Sequence, residues 1–483
     1  MVARLVIVSN RVAAPQSARE AQAGGLAVAV KAALKNRSGL WFGWSGQVRS
    51  GEPEVAEPDH LRFFQRNHMA FALVDLTAAD YQEYYSGFAN RVLWPILHYR
   101  VDLQDYSRAD ASGYLRVNQL FADRLSPFLS EGDVIWVHDY HLMPLARELR
   151  ARGHLNPIGF FLHIPCAPPD ILQTLPHHEE ILGALTHYDL VGFQTDRDRD
   201  NFADYLMTRG ARRERNGSFE IDDRRVRIGA FPVSIESRVF GRLARRVAHS
   251  PFARMVDESL GRQRLILSVD RLDYSKGIPH RIQAFGHFLE TCPEWRGNVT
   301  LLQIAPRSRS EIKEYAEIES TVAELIGRVN GRFGEPHWTP IRYTNRSYPR
   351  ADLAGLYRRA NVAMVTPLRD GMNLVAKEFL AAQDPDDPGV LVLSEFTGAA
   401  VELKDALIVN PHEIEGVAAK LKQALEMPQA ERCERHAPMR AQLMSADISR
   451  WAESFLTALG ETRQNASLLD GLRGLFGVLV NTP

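Results

Sequence analysis

The run TPLRDGMNLVAKEFLAAQ, Thr366–Gln383, continues the strand-like NVAMVTP and changes its period within a few residues. From Asn373 onward, Leu374, Val375, Phe379 and Leu380 recur at the spacing of one buried helical face. Between strand and helix lie Arg369, Asp370, Gly371 and Met372. A strand that passes through a short Asp-Gly turn into a helix is half of a β-α-β unit. Near-continuous apolar strands alternating with such helices imply parallel sheets covered on both faces.

The same alternation extends outward in both directions. Towards the amino terminus it gives strands at RLVIVSN, DVIWVHD, IGFFLHI and LVGFQT, and helices at GGLAVAVKAALK, LMPLARELRARG, DILQTLPHHEEILGAL and DRDRDNFADYLMTRG. Around the opening run it gives strands at RLILSVD, NVTLLQIAP, PIRYTN, NVAMVTP, GVLVLSE and ALIVNP. Ten such strands exceed one comfortable doubly wound sheet, and 483 residues exceed one core. The polar, Arg-rich stretch from about 209 to 262 ends its last strand at Phe231-Pro232, so the expected division is 1–235, 236–450 and a helical tail 451–483, free to pack on either half and so able to fold back on the amino-terminal domain. The fold class expected is α/β, with two doubly wound domains.

Lys plus Arg number 58 and Asp plus Glu 59, so the net charge recruits neither nucleic acid nor a membrane surface. Cys166, Cys292 and Cys433 show no C-x-x-C spacing, which argues against a disulfide framework or a thiolate metal site. No apolar run reaches the 18 or so residues of a membrane helix, and the first residues lack the pattern of a signal peptide. The expectation is a cytoplasmic protein.

In doubly wound sheets ligands bind at the carboxyl ends of strands, so the loops after strands carry the chemistry. The start of the helix at Asn373 offers unpartnered amides to an anion, Gly371 lets the backbone approach it, and Glu378 has the reach to accept from two adjacent hydroxyls. Taken alone, this stretch is equally a capped helix with a surface Glu. In LILSVDRLDYSKGIPH, Arg271 and Lys276 stand between strand and helix, as two cations would for a diphosphate, or as the charges of a solvated turn. Neither G-x-G-x-x-G nor G-x-x-x-x-G-K-[ST] occurs. Arg11 follows the first strand, and Gly24-Gly25 open the next helix. His138, Asp139 and His141 end one strand, and His163 ends another, without metal-ligand spacing.

Together SNR, AGGLAVAV, LWFGWSG, VLWPILHYR, IWVHDYHLMP, FFLHIP, RLDYSKG, APRSR and TPLRDGMNLVAKEF resemble the trehalose-6-phosphate synthase family, in order, from residue 4 to about 411. The resemblance implies a GT-B fold, two Rossmann-like domains facing across a catalytic cleft. It implies transfer of glucose, with retention, from UDP-glucose to glucose 6-phosphate, with no cofactor and no metal. The partners implied are these two substrates; a homo-oligomer stays open. The domain at 1–235 would serve the acceptor and that at 236–450 the nucleotide sugar.

Residue by residue, the resemblance puts Arg271 and Lys276 on the donor diphosphate, completed by the amides of Leu374 and Val375, with Glu378 on the ribose. Asp370, Gly371, Met372 and Asn373 would border the donor glucose, His163 would meet it, and Ala376 and Lys377 belong to the same donor segment. Tyr348 would line the nucleotide pocket, and Gly24 and Gly25 would approach the donor. For the acceptor, Arg11 and Arg309 would hold the 6-phosphate, Tyr85 and Trp94 would frame it, and Asp139 would bind a sugar hydroxyl. Arg271, Lys276, Asp139, His163 and Asp370 form the catalytic set. Two departures stand out: Cys166 replaces the family's aromatic after HIP, and Pro232-Val233-Ser234-Ile235-Glu236 lacks its usual glycine. A related transferase with another acceptor, such as a glucosylglycerol-phosphate synthase or a pseudo-glycosyltransferase, and a non-catalytic sugar-phosphate sensor are the alternative readings.

Overall fold

A computed structural model describes residues 4–12, 38–49, 61–66, 68–309 and 312–477. Gly24, Gly25 and the helix expected there lie outside the described residues. The chain forms two units, one of the described residues up to Pro232 together with those from Ser449 onward, the other Val233–Ile448.

The first unit is built on ten strands: β1 (Leu5–Arg11), β2 (Gly39–Arg49), β3 (Leu61–Arg66), β4 (Met69–Thr77), β5 (Val134–His138), β6 (Ile158–Phe161), β7 (Leu190–Phe193), β8 (Arg212–Arg213), β9 (Ser218–Ile221) and β10 (Arg224–Ala230). Their order is β3-β4-β2-β1-β5-β6-β7-β10-β9-β8. From β4 to β10 every neighbouring pair is parallel. The antiparallel margins β3, β8 and β9 are short, and the two outermost strands, β3 and β8, carry exposed polar residues, a way of blunting sheet edges. β1 and β5 are buried on both faces, as a central parallel strand must be.

The second unit has six parallel strands, β11 (Arg264–Val269), β12 (Val299–Ile304), β13 (Ile341–Thr344), β14 (Val362–Val365), β15 (Val390–Ser394) and β16 (Leu407–Val409), in the order β13-β12-β11-β14-β15-β16. This is the doubly wound order 3-2-1-4-5-6, in which the winding reverses between the first and fourth strands. Its core gathers Ile266, Leu301, Val362 and Val392 from the sheet with Ile282, Phe285 and Leu421 from covering helices.

All six strands expected in this unit are present, and so are the four expected in the first. The segment expected to be one helix from Asp170 is instead broken into Pro169–Leu172 and His178–Ile181 and a short 3-10 turn. Pro176 removes an amide from its middle, and His177 takes a left-handed φ of 57°. Tyr81–Leu93 is π-helical, and the helix Ile448–Gly477 begins at the end of the second unit, its residues from Ser449 belonging to the first.

Candidate active site

In the second unit the winding reverses between β11 and β14, and the loops leaving those two strands carry Arg271, Lys276 and Asp370. After β11, Asp273 caps the turn Tyr274–Lys276 by accepting from the Ser275 amide at 2.9 Å. Gly277, at φ 63°, then starts the helix Ile278–Thr291; a Cβ there would lie 2.6 Å from the Thr366 carbonyl oxygen. That close approach lets the two loops pair: the amide of Leu368 donates to the Ser275 carbonyl at 2.8 Å.

After β14 the chain turns through Asp370 and Asn373. Lys276 Nζ contacts Asp370 Oδ2 at 2.5 Å, and Asn373 Nδ2 donates to the same oxygen at 3.0 Å. Asp370 Oδ1 accepts from the Gly371 amide at 3.0 Å. Asn373 sits at φ 72° and ψ 89°, and its Oδ1 accepts from the Ala376 amide to cap the helix Leu374–Ala382. Asn tolerates this region because its short polar side chain bonds locally. The Gly371 and Met372 carbonyls are held by the amides of Gly398 and Ala399. The helix end is thus fixed from two sides, with the amides of Leu374 and Val375 in its first turn, where the backbone dipoles favour an anion.

Further along this helix the Lys377 ammonium is buried, donating to the Val233 carbonyl at 2.7 Å and paired with Glu402. Its side chain therefore braces the helix, and only its backbone is left for a role in donor binding. Glu378, one residue on, has its carboxyl pushed up to about 7 by burial, against the opposing pull of the Arg350 guanidinium. Tyr348 packs on Phe252 at 5.8 Å.

Arg271 is exposed at the head of its loop. Arg309, at φ 50°, donates to the Tyr315 hydroxyl at 2.6 Å, which in turn donates to Asp273 Oδ2 at 3.0 Å. One buried carboxylate thus touches both the Lys276 turn and the Arg309 side-chain network.

Arg281 is the residue that sequence reasoning missed here. Its fully buried guanidinium joins Asp270 (2.9 Å), Gln303 (3.1 Å), Thr366 (3.0 Å) and the Lys276 carbonyl (3.2 Å). It ties the ends of β11, β12 and β14 to the Lys276 turn. Its signal was present: in IPHRIQAF it falls on the apolar face with Ile278, Ile282 and Phe285.

In the first unit the winding reverses between β1 and β5, and Arg11 and Asp139 stand at the ends of those strands. Arg11 lies 5.9 Å over the Trp44 ring. Gly46, at φ 87°, makes room for it, since a Cβ there would fall 2.7 Å from Arg11 Nε; nothing in LWFGWSG marked that glycine out. Tyr85 packs on Trp44 at 5.7 Å and stacks on His141 at 5.8 Å. Trp94 is buried on His98 and Tyr140.

Asp139 has φ 75°, and its carboxylate accepts from the His163 amide at 3.3 Å. His163 Nε2 lies 3.1 Å from His138 Nδ1, and burial pushes the His163 ring down to about 3, so it is neutral. Cys166 is sealed, its thiol pushed well up by burial, while its amide donates to Asp198.

Among the described residues seven non-glycine positions have positive φ, and three of them are Asp139, Arg309 and Asn373. Backbone strain of this kind persists where the surroundings hold it, commonly at binding sites. No cluster of three or more His, Cys, Asp or Glu side chains suited to a metal occurs among the described residues, and no described helix is long and apolar enough to cross a membrane.

Comparison with known proteins gives the family. The profile of glycosyltransferase family 20 matches residues 3–461. A trehalose-6-phosphate synthase of Sinorhizobium fredii is 53% identical over 460 residues, covering 95% of this chain and 98% of its own. The crystal structure of an alpha,alpha-trehalose-phosphate synthase (UDP-forming) from Burkholderia xenovorans in complex with glucose-6-phosphate superposes with a TM-score of 0.90 at 47% identity, covering 95% of this chain and 100% of that one. An E. coli structure bound with UDP-2-fluoro glucose gives a TM-score of 0.88 at 44% identity, with 95% and 99% covered.

Proposed function

This chain belongs to glycosyltransferase family 20, and we propose that the strand ends of its second unit bind UDP-glucose while those of its first unit serve glucose 6-phosphate. The enzyme is an alpha,alpha-trehalose-phosphate synthase of the UDP-forming kind, transferring glucose with retention to give trehalose 6-phosphate and UDP. The observation that carries the assignment of residues is the Lys276–Asp370–Asn373 knot at the reversal point of the second sheet. It puts an ammonium and the first amides of a helix at one place.

In this reading the bond from the sugar's anomeric carbon to the diphosphate oxygen breaks, building positive charge on the sugar and negative charge on UDP. Lys276, Arg271 and the amides of Leu374 and Val375 stabilise the second charge where it develops, and Glu378 receives the ribose hydroxyls. The acceptor's anomeric hydroxyl forms the new bond on the same face, and its proton passes to the departing phosphate oxygen. Gly371, Met372 and Ala376 supply backbone along the donor, Tyr348 lines the base, and Asp139 and His163 orient sugar hydroxyls. Arg11 and Arg309 take the acceptor's phosphate, with Tyr85 and Trp94 beside it. Both substrates carry phosphates that do not cross a bilayer, which fits a cytoplasmic enzyme.

The test is UDP release over a matrix of nucleotide-glucoses and acceptor sugars, run on the wild type and Arg309→Ala. A hydrogen bond to a charged group is worth about 1.5 to 3 kcal/mol, so the variant should raise the KM for glucose 6-phosphate by about ten- to a hundredfold and leave that for UDP-glucose nearly unchanged. Free glucose should be a very poor acceptor. Similar kcat/KM for glucose and glucose 6-phosphate would refute the phosphate site.

A further inference from the structure

His138 has no role in the mechanism above, yet it is fully buried and its Nδ1 lies 3.1 Å from His163 Nε2. β5 and β6 run parallel with His138 opposite Phe161, which brings the two rings together just beyond the strand ends. The wall behind them is indole: Trp136 is 4.6 Å from the His138 ring, and Trp451 is 6.3 Å from His138 and 6.0 Å from His163.

Burial holds both rings neutral. Each therefore carries one N–H, and the contact between them needs one donor and one acceptor. If His163 Nε2–H donated, the His138 proton would sit on Nε2, which is buried and has no partner among the described residues. That N–H would join two further buried donors without partners, the indole nitrogens of Trp136 and Trp451. Orphaned buried N–H groups are rare and costly. If instead His138 Nδ1–H donates, its Nε2 carries a lone pair, and no third orphaned N–H is added beside the two indoles. The proton of His163 then sits on Nδ1.

We propose that His138 is a positioning residue that fixes His163 as the Nδ1–H tautomer, so that His163 presents a hydrogen-bond donor to the donor glucose. This rests on the reading above that His163 meets that sugar. The hydroxyl it meets then accepts from His163 and keeps its own proton for another partner, which fixes the direction of the hydrogen bonds on that side of the glucose.

Nitrogen–proton correlation NMR of the full chain, with isotope-labelled histidine, reads the tautomer directly; His163→Asn assigns the signals. The expected result is a protonated Nδ1 and a bare Nε2 at His163. In His138→Phe the His163 signals should become those of a tautomer mixture. The KM for UDP-glucose should rise about five- to tenfold, the scale of one neutral hydrogen bond. The KM for glucose 6-phosphate and the affinity for UDP, which lacks the glucose, should stay as in the wild type. A merely structural role would move all three. If His138→Phe fails to fold, the wild-type spectrum alone decides: a protonated Nε2 at His163 overturns the inference and leaves the sugar contact standing. If His163→Ala keeps kcat/KM for UDP-glucose within about twofold of wild type, the sugar contact itself fails, and the inference falls with it.

Discussion

Lys276 meets Asp370 at 2.5 Å, so the cation assigned to the departing diphosphate is already held by a carboxylate. A diphosphate must share or displace that contact, and the gain is largest when its charge peaks at bond breaking. Lys276→Ala should therefore lower kcat by about a hundred- to a thousandfold, the scale of one preorganised donor. Steady-state kinetics on the folded variant check this, and turnover within about threefold of wild type would count against the assignment. Glu378 yields a second prediction. Its carboxyl, raised to about 7 by burial, is largely protonated in the free protein at about pH 6. Ribose hydroxyls donate to the ionised form, so binding lowers this pKa and releases a proton. Affinity for UDP-glucose should fall as the pH drops below 7. Calorimetry in buffers of different ionisation enthalpy should show proton release at about pH 6 that vanishes at about pH 8.5 and in Glu378→Gln; no buffer dependence at the lower pH would contradict it. Lys276 and Asp370 were legible as candidates because each stands in a short run between a strand and a helix, and Glu378 because it follows one turn into the helix that Asn373 caps. The fit of Gly46 was not, and neither were the partners of Arg281 and His138, although Arg281 showed as a charge on an apolar face and His138 as a strand-end histidine: Arg11, Gln303 and Thr366, and His163 are brought to them by distant segments.

At the scale of elements, the helix Ile448–Gly477 packs Phe455 against the first unit's sheet. Its ring stacks on Trp136 at 4.6 Å and lies against β6 and β7 where both strands have glycine: a Cβ on Gly159 or Gly192 would come within 2.7 or 2.8 Å of it. The glycines in IGFFLHI and LVGFQT are thus the bed for an aromatic from more than 250 residues away. Phe455→Ala should cost about 3 to 5 kcal/mol of stability, read from denaturant unfolding, because it empties a fully buried site. A loss below about 1 kcal/mol would mean that the helix does not seal this face. The amphipathic pattern of WAESFLTALG announced a helix but not which sheet it covers, since a pattern names a face and not its partner. The break at Pro176–His177 was legible in principle from the proline; the π-helical winding of Tyr81–Leu93 was not, as no periodicity rule marks it.

For the whole molecule, each sheet reverses its winding at one place, between β1 and β5 and between β11 and β14, and each reversal carries candidate site residues: Arg11 and Asp139 in one, Lys276 and Asp370 in the other. Strand alternation made the fold class legible; the strand order, which decides where a ligand binds, was not legible, because pairing between strands far apart in sequence leaves no local signal. The division of labour between the two sheets is an account of one reaction, the joining of two glucose units through their anomeric carbons with the donor's configuration kept. The most direct measurement is proton NMR of the product formed from UDP-glucose and glucose 6-phosphate by the wild-type chain. A single disaccharide phosphate with two α-anomeric signals, formed in step with UDP, is the expected result. Free glucose released with UDP, or a β-anomeric signal from the transferred sugar, would contradict it.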